Sequence, residues 1–196
     1  MANCASILLA AGASTRLGKP KQLLQVDGES LLRRTARMAV EAGCAPNLVV
    51  LGAAAGEMNR ELEGLDVQRV INEAWREGMG SSLRCAMTSL LAEGSRPDAV
   101  LLLVCDQPNV SVKLLRALIA EQGGRAGTIA ASRYEGVFGV PAAFGLDYFA
   151  ELAELSGDRG ARGVVMQHAA QVRCVDFPGG ELDIDTPTDA DALGGS

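Results

Sequence analysis

Short apolar runs alternate with amphipathic helical patterns along most of this chain. The apolar runs, which favour strands, lie at roughly 5–9, 48–51, 67–71, 100–104 and 128–131. The helical patterns between them lie at about 31–41, 82–92 and 112–121. A glycine follows each helical pattern within two residues, as expected where a helix ends. This arrangement is typical of a parallel sheet covered by helices on both faces, so the sequence predicts an α/β sandwich of three layers.

Beyond residue 132 the alternation becomes less regular. Short β-like pieces lie at 134–144, and helical patterns follow at about 146–155 and 161–169. With 196 residues the chain is long enough for one domain with a substantial core, whereas two domains would each be small. No linker, repeat or low-complexity tract divides the sequence, so we predict a single domain over residues 1–196.

The composition excludes several classes of partner. The formal net charge of -6 opposes the broad basic surface that nucleic-acid binding uses. No apolar run is long enough to cross a bilayer, and the first residues lack the basic region of a signal peptide. The five cysteines are scattered without a C-x-x-C pair, which favours reduced thiols. We therefore expect a cytoplasmic protein that binds neither nucleic acid nor a membrane.

The segment 9–22 joins the end of the first predicted strand to a short basic loop. Two of the chain's three lysines, Lys19 and Lys21, lie here within reach of Arg16. The small residues at 10–13 would let backbone amides approach phosphate oxygens closely. In an acidic chain, this local cluster of cations predicts a site for a triphosphate, with a divalent cation sharing the charge neutralisation.

Two familiar phosphate-binding loops do not fit this segment. A P-loop has four residues between its first glycine and the Gly-Lys pair, and a Ser or Thr follows the lysine. Here five residues separate Gly12 from Gly18, and Pro20 replaces the hydroxyl. The dinucleotide-binding pattern G-x-G-x-x-G is also absent from the loop, so a dehydrogenase of the Rossmann type is disfavoured.

Two acidic segments are candidates for holding a cation. Asp106 follows the apolar run 100–104, at the sheet edge where ligands bind, although an aspartate there is also a common turn residue. Asp183 and Asp185 lie on one face if their segment is extended. The Thr-Pro pair after Asp185 is also typical of a helix start, which is compatible with a metal role.

The segment 72–84 follows the third predicted strand and opens a helix. Its glycines and serines offer flexible backbone and hydroxyl groups that can read the edge of a base. The alternative is an ordinary capped helix start with Ser81 as the N-cap. Trp75 is the only tryptophan of the chain, and we expect it to pack rather than to stack on a ligand.

Residues 9–24 resemble the signature of the nucleotidyltransferases that act on the molybdenum cofactor, and more broadly of sugar-phosphate and cytidylyl transferases. The family pattern is L-A-A-G-x-S-x-R-M-G-x-P-K-x-L-L, from which this chain departs only at Leu17. Further similar motifs lie at 72–84, 106–108, 157–162 and 183–189. The resemblance implies a Rossmann-like fold of the nucleotide-diphospho-sugar transferase type. Ala11 makes the loop similar to the cytidylyl branch, because the guanylyl branch usually carries glycine there, and CTP is therefore the expected donor.

The resemblance implies that Arg16 and Lys21 are catalytic, because both would stabilise charge on the triphosphate. By the same resemblance, Asp106 and Asp185 would hold Mg²⁺. Nucleotide binding falls on Leu9, Ala10, Ala11, Gly12, Ser14, Lys19, Asn72, Gly78, Gly80, Ser81 and Ser82. Acceptor binding falls on Gly139, Pro141, Asp158, Arg159 and Arg162. Val140 stands where the family's Gly-His-Pro has histidine, which leaves the acceptor open.

These roles divide the expected domain into a nucleotide-binding part, about 1–132, an acceptor-side part, about 133–182, and a metal-site segment with a C-terminal helix, 183–193. The implied reaction is Mg²⁺-dependent transfer of CMP from CTP to a phosphorylated acceptor of the molybdopterin type, with release of pyrophosphate. GTP is a less favoured donor, and a molybdoenzyme or its chaperone is a candidate protein partner. Two alternatives stay open: a sugar- or alditol-phosphate nucleotidyltransferase, and a module of the same fold that delivers the cofactor.

Overall fold

The computed structural model describes residues 3–14, 17–92, 96–184 and 189. Within those ranges the strands are β1 (Cys4–Leu9), β2 (Gln25–Val26), β3 (Glu29–Ser30), β4 (Asn47–Leu51), β5 (Gln68–Ile71), β6 (Ala99–Val104), β7 (Ile129–Tyr134), β8 (Val137–Gly145) and β9 (Val172–Asp176). The α-helices are α1 (Leu31–Ala42), α2 (Ala55–Glu61), α3 (Met79–Ala92), α4 (Val112–Gln122), α5 (Phe149–Ala153) and α6 (Ala161–Gln167). None of the helices in these ranges is long and apolar enough to cross a membrane.

Seven strands form one sheet in the order β5-β4-β1-β6-β8-β7-β9. Parallel pairing joins β1 to β4 and β6, β4 to β5, and β7 to β9. Strand β8 runs antiparallel to both of its neighbours, β6 and β7. The predicted α/β fold around a mostly parallel sheet is therefore confirmed. Strands β2 and β3 form a separate two-stranded hairpin.

The two faces of the sheet pack into two cores, which gives the molecule its three layers. In β1, Leu8 packs into the core that includes α1, α2 and α4, whereas Ile7 packs into the core that includes α3, α5 and α6. Neighbouring residues of a strand point to opposite faces, so both cores draw on the same strand. Burial on both faces explains why β1, β4 and β6 are apolar almost throughout.

Helices α1 and α4 each begin at a serine that caps the first turn and end at a glycine. The hydroxyl of Ser30 accepts a hydrogen bond from the third amide of α1, and the hydroxyl of Ser111 does the same for α4. Helix α1 ends at Gly43 with φ 91°, and α4 ends at Gly123 with φ 62°. This left-handed backbone favours glycine, so the prediction of glycine at these two helix ends is confirmed. The third expected helix-end residue, Gly94, lies outside the described residues.

The apolar pattern misses the β2-β3 hairpin, α2 and β9. Strand β9 has the sequence V-R-C-V-D at the edge of the sheet, where exposed positions leave no continuous apolar run. Helix α2 has only seven residues, too few to establish a helical period. The helix predicted at 146–155 is divided into a 3-10 turn and the short α5. The segment 183–193 is described only at 183, 184 and 189, so the helix expected there lies outside the described residues.

Candidate active site

A cavity of about 420 Å³ opens at the carboxyl ends of the parallel strands. Its wall combines the loop after β1, the segment between β5 and α3, the end of β6 and one residue from the loop before α6. The lining residues are Leu9, Ala10, Ala11, Gly12, Ala13, Ser14, Lys21, Gln22, Trp75, Arg76, Gly78, Met79, Ser82, Val104, Cys105, Asp106 and Asp158. In an open parallel sheet this edge is where ligands bind, because the strand ends and their loops converge there.

An ion pair crosses the cavity between the β1 loop and the end of β6. Lys21 Nζ lies 2.5 Å from Asp106 Oδ2, and both side chains are about one-fifth exposed. The pair joins the two positions that the sequence assigned to the triphosphate and to the metal. At this distance the two opposite charges attract each other strongly, so the pair places a cation and a carboxylate side by side on the cavity wall.

The second oxygen of Asp106 suits a cation. Oδ1 is buried, and no residue in the described ranges donates a hydrogen bond to it. Carboxylate oxygens are the ligands that hard divalent cations prefer. The described residues contain no cluster of three His, Cys, Asp or Glu side chains with metal-binding spacing. The other expected ligand, Asp185, lies outside the described residues, as does the catalytic candidate Arg16.

Buried hydrogen bonds of Asn72 and Ser81 stabilise the start of α3. Asn72 Nδ2 donates to Ser81 Oγ at 2.9 Å and to Ser82 Oγ at 3.0 Å. Ser81 Oγ in turn donates to the carbonyl oxygens of Gly78 at 2.8 Å and Ala74 at 3.0 Å.

Asn72 and Ser81 are buried, and neither lines the cavity. Ser81 is also not the N-cap that the sequence offered as an alternative, because it lies within the first turn of α3. Only Ser82 of the two serines reaches the cavity wall.

The two glycines at the start of α3 allow a close approach of the loop before α6. Gly78 has φ +105°, and a Cβ built on it would lie 2.7 Å from Asp158 Oδ1. A Cβ on Gly80 would lie 2.6 Å from the amide nitrogen of Ser156. The Gly80 amide donates to the carbonyl oxygen of Gly157 at 2.9 Å. Gly80 thus has a packing role away from the cavity wall, and Asp158, expected on the acceptor side, lies on the wall of the main cavity.

Trp75 packs against the backbone and also lines the cavity. A Cβ on Gly52 would lie 2.8 Å from the Trp75 side chain, so the tryptophan packs directly on the backbone after β4. Its ring also lines the cavity, and the Arg76 guanidinium lies over it, 4.3 Å from the ring centroid. Arg76 is a cation of the cavity wall that the sequence motifs gave no reason to select.

A smaller cavity of about 200 Å³ adjoins the first and shares Leu9, Met79, Val104 and Asp106 with it. Its polar lining comes from Asp106, Gln107, Tyr134, Arg162 and Asp183. Burial, and then the nearby Asp183 carboxylate, raise the pKa of the Tyr134 hydroxyl, while Arg162 acts in the opposite direction. Val140, the residue in place of the family's histidine, lines this smaller cavity. The acceptor-side prediction for Arg162 therefore corresponds to a cavity next to Asp106.

Several expected site residues lie elsewhere. Lys19 is exposed and outside both cavities. Arg159 lines a separate groove beside α5 and α6, together with Glu151 and Glu154. Gly139 and Pro141 are buried in β8 and line neither cavity. The predicted contacts of these four residues with substrate gain no support from their positions.

Sequence reasoning gave no role to Gln22, although the residue lies within the quoted motif. Its side chain is 1% exposed and holds the β1 loop by hydrogen bonds to the main chain. The sequence around Lys21 does not reveal whether the neighbouring Gln22 side chain points into the protein or into solvent. Tyr134 was missed because it lies at the end of β7 outside the motifs, and only tertiary packing brings it into one cavity with Asp106 and Arg162.

The family model described as the MobA-like NTP transferase domain matches residues 6–172. Nicotine blue oxidoreductase of Paenarthrobacter nicotinovorans is 32% identical over 190 residues, covering 92% of this chain and 91% of the relative. The purine catabolism protein PucB of Bacillus subtilis is 30% identical over 198 residues, covering 95% and 94%. A probable molybdenum cofactor guanylyltransferase of Synechococcus elongatus is 32% identical over 117 residues, covering 59% and 56%.

Among solved structures, Rv0371c of Mycobacterium tuberculosis superposes with a TM-score of 0.82 at 34% identity, covering 100% of this chain and 98% of that one. A structure of Rv0371c in complex with manganese has a TM-score of 0.76 at 32% identity and covers 97% of each chain. These likenesses extend over nearly the whole length of the chain.

Proposed function

The chain belongs to the family of MobA-like NTP transferase domains, and we propose that it transfers CMP from CTP to a phosphorylated acceptor of the molybdopterin type. The observation that carries this proposal is the pairing of Lys21 with Asp106 across the cavity next to the β1 loop. A cation beside main-chain amides suits a triphosphate, and a carboxylate with an unsatisfied oxygen suits its metal ion. The relative named as a molybdenum cofactor guanylyltransferase supports the type of acceptor.

In the proposed reaction, the acceptor phosphate attacks the α-phosphorus in line and pyrophosphate leaves. No protein nucleophile is required, because catalysis of phosphoryl-type transfer rests on positioning and charge stabilisation. Lys21 would exchange its ion pair with Asp106 for phosphate oxygens of the donor, where it stabilises the developing negative charge. Arg16, outside the described residues, is proposed to add a second cation.

Asp106 is the described residue that we propose to hold Mg²⁺, together with Asp185. When bound, the ion supplies Lewis-acid stabilisation of charge on phosphate oxygens. The buried, unsatisfied Oδ1 of Asp106 supports this assignment. The manganese complex of the related Rv0371c supports a divalent ion in this type of domain.

The acceptor phosphate is proposed to enter from the smaller cavity, since the two cavities meet at Asp106. Arg162, in the first turn of α6, is the cation of that cavity and suits a phosphate because its guanidinium donates two parallel hydrogen bonds. In this arrangement the loop residues 9–14 hold the donor and the α6 side holds the acceptor. This assignment follows the predicted division into nucleotide-binding and acceptor-side parts, except that Asp158 of the acceptor-side part lines the larger cavity.

The proposed choice of CTP rests on Ala11. This residue is buried at the cavity wall, and its carbonyl oxygen accepts a hydrogen bond from the Ala53 amide at 3.1 Å, so its backbone is fixed. Ala11 stands where the guanylyl branch of the family usually carries glycine, and this resemblance to the cytidylyl branch supports the choice of CTP. The nucleotide-bound product would then pass to a molybdoenzyme or its chaperone.

Pyrophosphate release tests the proposal directly. The purified protein is mixed with Mg²⁺ or Mn²⁺, molybdopterin and either CTP or GTP, and pyrophosphate is measured over time. We expect release with CTP that depends on the acceptor and stops when the metal is chelated. Faster release with GTP would overturn the CTP assignment alone, and release with a sugar phosphate but not with molybdopterin would replace the acceptor. No release with any acceptor would contradict transferase activity.

A second candidate function has a specific observation in its favour. Nicotine blue oxidoreductase, which resembles this chain over nearly its entire length, is named for a redox reaction. Against this candidate, the β1 loop lacks the G-x-G-x-x-G pattern of a dinucleotide site. Absorbance of NADH or NADPH, mixed with the protein and a quinonoid dye, separates the two functions. Oxidation of the nicotinamide without pyrophosphate chemistry would favour the oxidoreductase.

A further inference from the structure

Gln22 is a buried glutamine in the 3-10 turn Lys21–Leu23, at the end of the β1 loop. Its side chain is 1% exposed, and its Nε2 donates to two carbonyl oxygens of the loop, those of Ala10 at 2.9 Å and Gly12 at 2.7 Å. Its Oε1 accepts a hydrogen bond from the Ser14 hydroxyl at 3.3 Å. One side chain therefore uses both polar atoms of its amide to fix three nearby positions of the loop.

The same contacts determine which backbone groups of the loop are available to a ligand. The carbonyl oxygens of Ala10 and Gly12 are engaged by Gln22, and that of Ala11 accepts from the amide of Ala53. Within the described ranges, the amides of Ala11, Gly12 and Ala13 donate to no main-chain acceptor. These residues line the cavity beside Lys21. A loop with engaged carbonyls and unengaged amides is the arrangement of backbone that binds anions.

The loop also needs this support because its backbone is unusual at Ser14. Ser14 has φ +50°, a left-handed conformation that costs free energy for any residue other than glycine. The Ser14 hydroxyl is held from two directions, since it donates to Gln22 and accepts from the Lys21 amide at 3.0 Å. Gln22 and Ser14 thereby connect the loop to the backbone of Lys21, the residue proposed to bind phosphate.

We propose that Gln22 is a positioning residue for triphosphate binding, which holds the amides of residues 11–13 towards the donor phosphates without contacting the substrate. This inference rests on the proposed function of the same site. Its chemistry requires a side chain that donates two hydrogen bonds and accepts one. Glutamate at this position would place carboxylate oxygens against two carbonyl oxygens, and methionine would keep the length of the side chain while losing every polar contact.

The test uses Gln22→Glu, Gln22→Met and the matched control Gln25→Glu. Gln25 is an exposed glutamine of the same segment and lies outside the cavity. Inorganic tripolyphosphate with Mg²⁺ is titrated against each protein, and the fluorescence of Trp75, which lines the cavity, reports binding. Because the lost hydrogen bonds involve a buried donor, we expect about tenfold weaker binding of tripolyphosphate by both Gln22 variants and no change in the control.

The split between kinetic constants separates positioning from general destabilisation. We expect the KM for the nucleoside triphosphate to rise in the Gln22 variants, with the KM for the acceptor unchanged, because Gln22 does not line the smaller cavity that we propose for the acceptor. If Gln22→Glu does not fold, Gln22→Met answers the same question, with thermal unfolding recorded for both. Wild-type affinity for tripolyphosphate in a folded Gln22 variant would overturn the inference alone. A wild-type protein that binds no tripolyphosphate would overturn the proposed function as well.

Discussion

The two halves of the sheet build their cavities in different ways. In the half formed by β5, β4, β1 and β6, all strands run parallel, so their carboxyl ends and following loops meet at one edge. The larger cavity, which we propose for the nucleotide donor and name the donor cavity, is consequently lined mainly by stretches that follow β1, β5 and β6, with Asp158 added from the loop before α6. In the other half, β8 runs antiparallel, and the smaller cavity, which we propose for the acceptor and name the acceptor cavity, adds the end of β7, the interior of β8, the first turn of α6 and residue 183 to residues of β1, β6 and the start of α3.

The difference extends from topology to chemistry. Besides the Lys21–Asp106 pair, the donor cavity presents main-chain groups of the β1 loop, which hydrogen bonds hold in place. The acceptor cavity presents side chains, among them Tyr134, Arg162 and Asp183. Main-chain groups recognise a feature that all nucleoside triphosphates share, whereas side chains change with single substitutions. The comparison therefore predicts that the donor half binds the triphosphate in any enzyme of this type, whereas the side chains of the acceptor half determine which acceptor is used.

Asp106 belongs to both cavities, so its substitution should have the largest effect. Asp106→Asn keeps the shape of the side chain but removes the charge that Mg²⁺ requires. Because metal-ion stabilisation supplies several kcal/mol, we expect turnover to fall about a thousandfold in the pyrophosphate assay. Asp98→Asn is the matched control, since Asp98 is exposed at the opposite end of the same strand region and should leave turnover unchanged. Turnover of Asp106→Asn near the wild-type rate would remove the metal assignment.

Lys21 tests the donor half alone. Lys21→Met removes the cation from the cavity wall, and we expect kcat/KM for the nucleoside triphosphate to fall about a hundredfold, as on loss of a group that stabilises transition-state charge. Lys19→Met, two residues away and outside the cavities, should have little effect. Equal losses in the two variants would mean that the loop acts only through its general positive charge.

Arg162 and Arg159 test the acceptor half. Both belong to the same sequence motif, yet Arg162 lines the cavity next to Asp106 and Arg159 lines a separate groove. For Arg162→Ala we expect the KM of the acceptor to rise about tenfold through loss of charge-assisted hydrogen bonds, with the KM of the nucleotide unchanged. For Arg159→Ala we expect wild-type constants. The reverse result would move the acceptor to the groove beside α5 and α6.

The same contrast explains what the sequence could predict. The β1 loop and Asp106 follow apolar strands directly, so strand pattern and motif spacing are enough to place Lys21 and Asp106 at one edge of the sheet. The position of Asp158 on the donor wall could not be predicted, because it depends on the close approach of its loop to Gly78, which is distant in sequence. Strand β9 and the burial of Gln22 were missed for a related reason. Both depend on tertiary packing, which neither apolar period nor residue type records.

The smallest expected effect concerns two cysteines, one in each half of the sheet. Cys105 lines the donor cavity at the end of β6, where burial, and then the neighbouring Asp106, raise the pKa of its thiol to about 12. Only the thiolate reacts with iodoacetamide, and at about pH 8 such a thiol is ionised in about one molecule in ten thousand. Cys174, by contrast, is exposed on the edge strand β9.

Peptide mass mapping after alkylation at that pH should therefore show Cys174 modified and Cys105 intact, with the rate of pyrophosphate release unchanged. Labelling of Cys105 should increase only as the pH rises towards the pKa of its thiol, because the thiolate fraction grows in that direction. Equal labelling of the two cysteines near neutral pH would mean that the end of β6 opens to solvent. The donor half would then lack the fixed wall on which its contrast with the acceptor half depends.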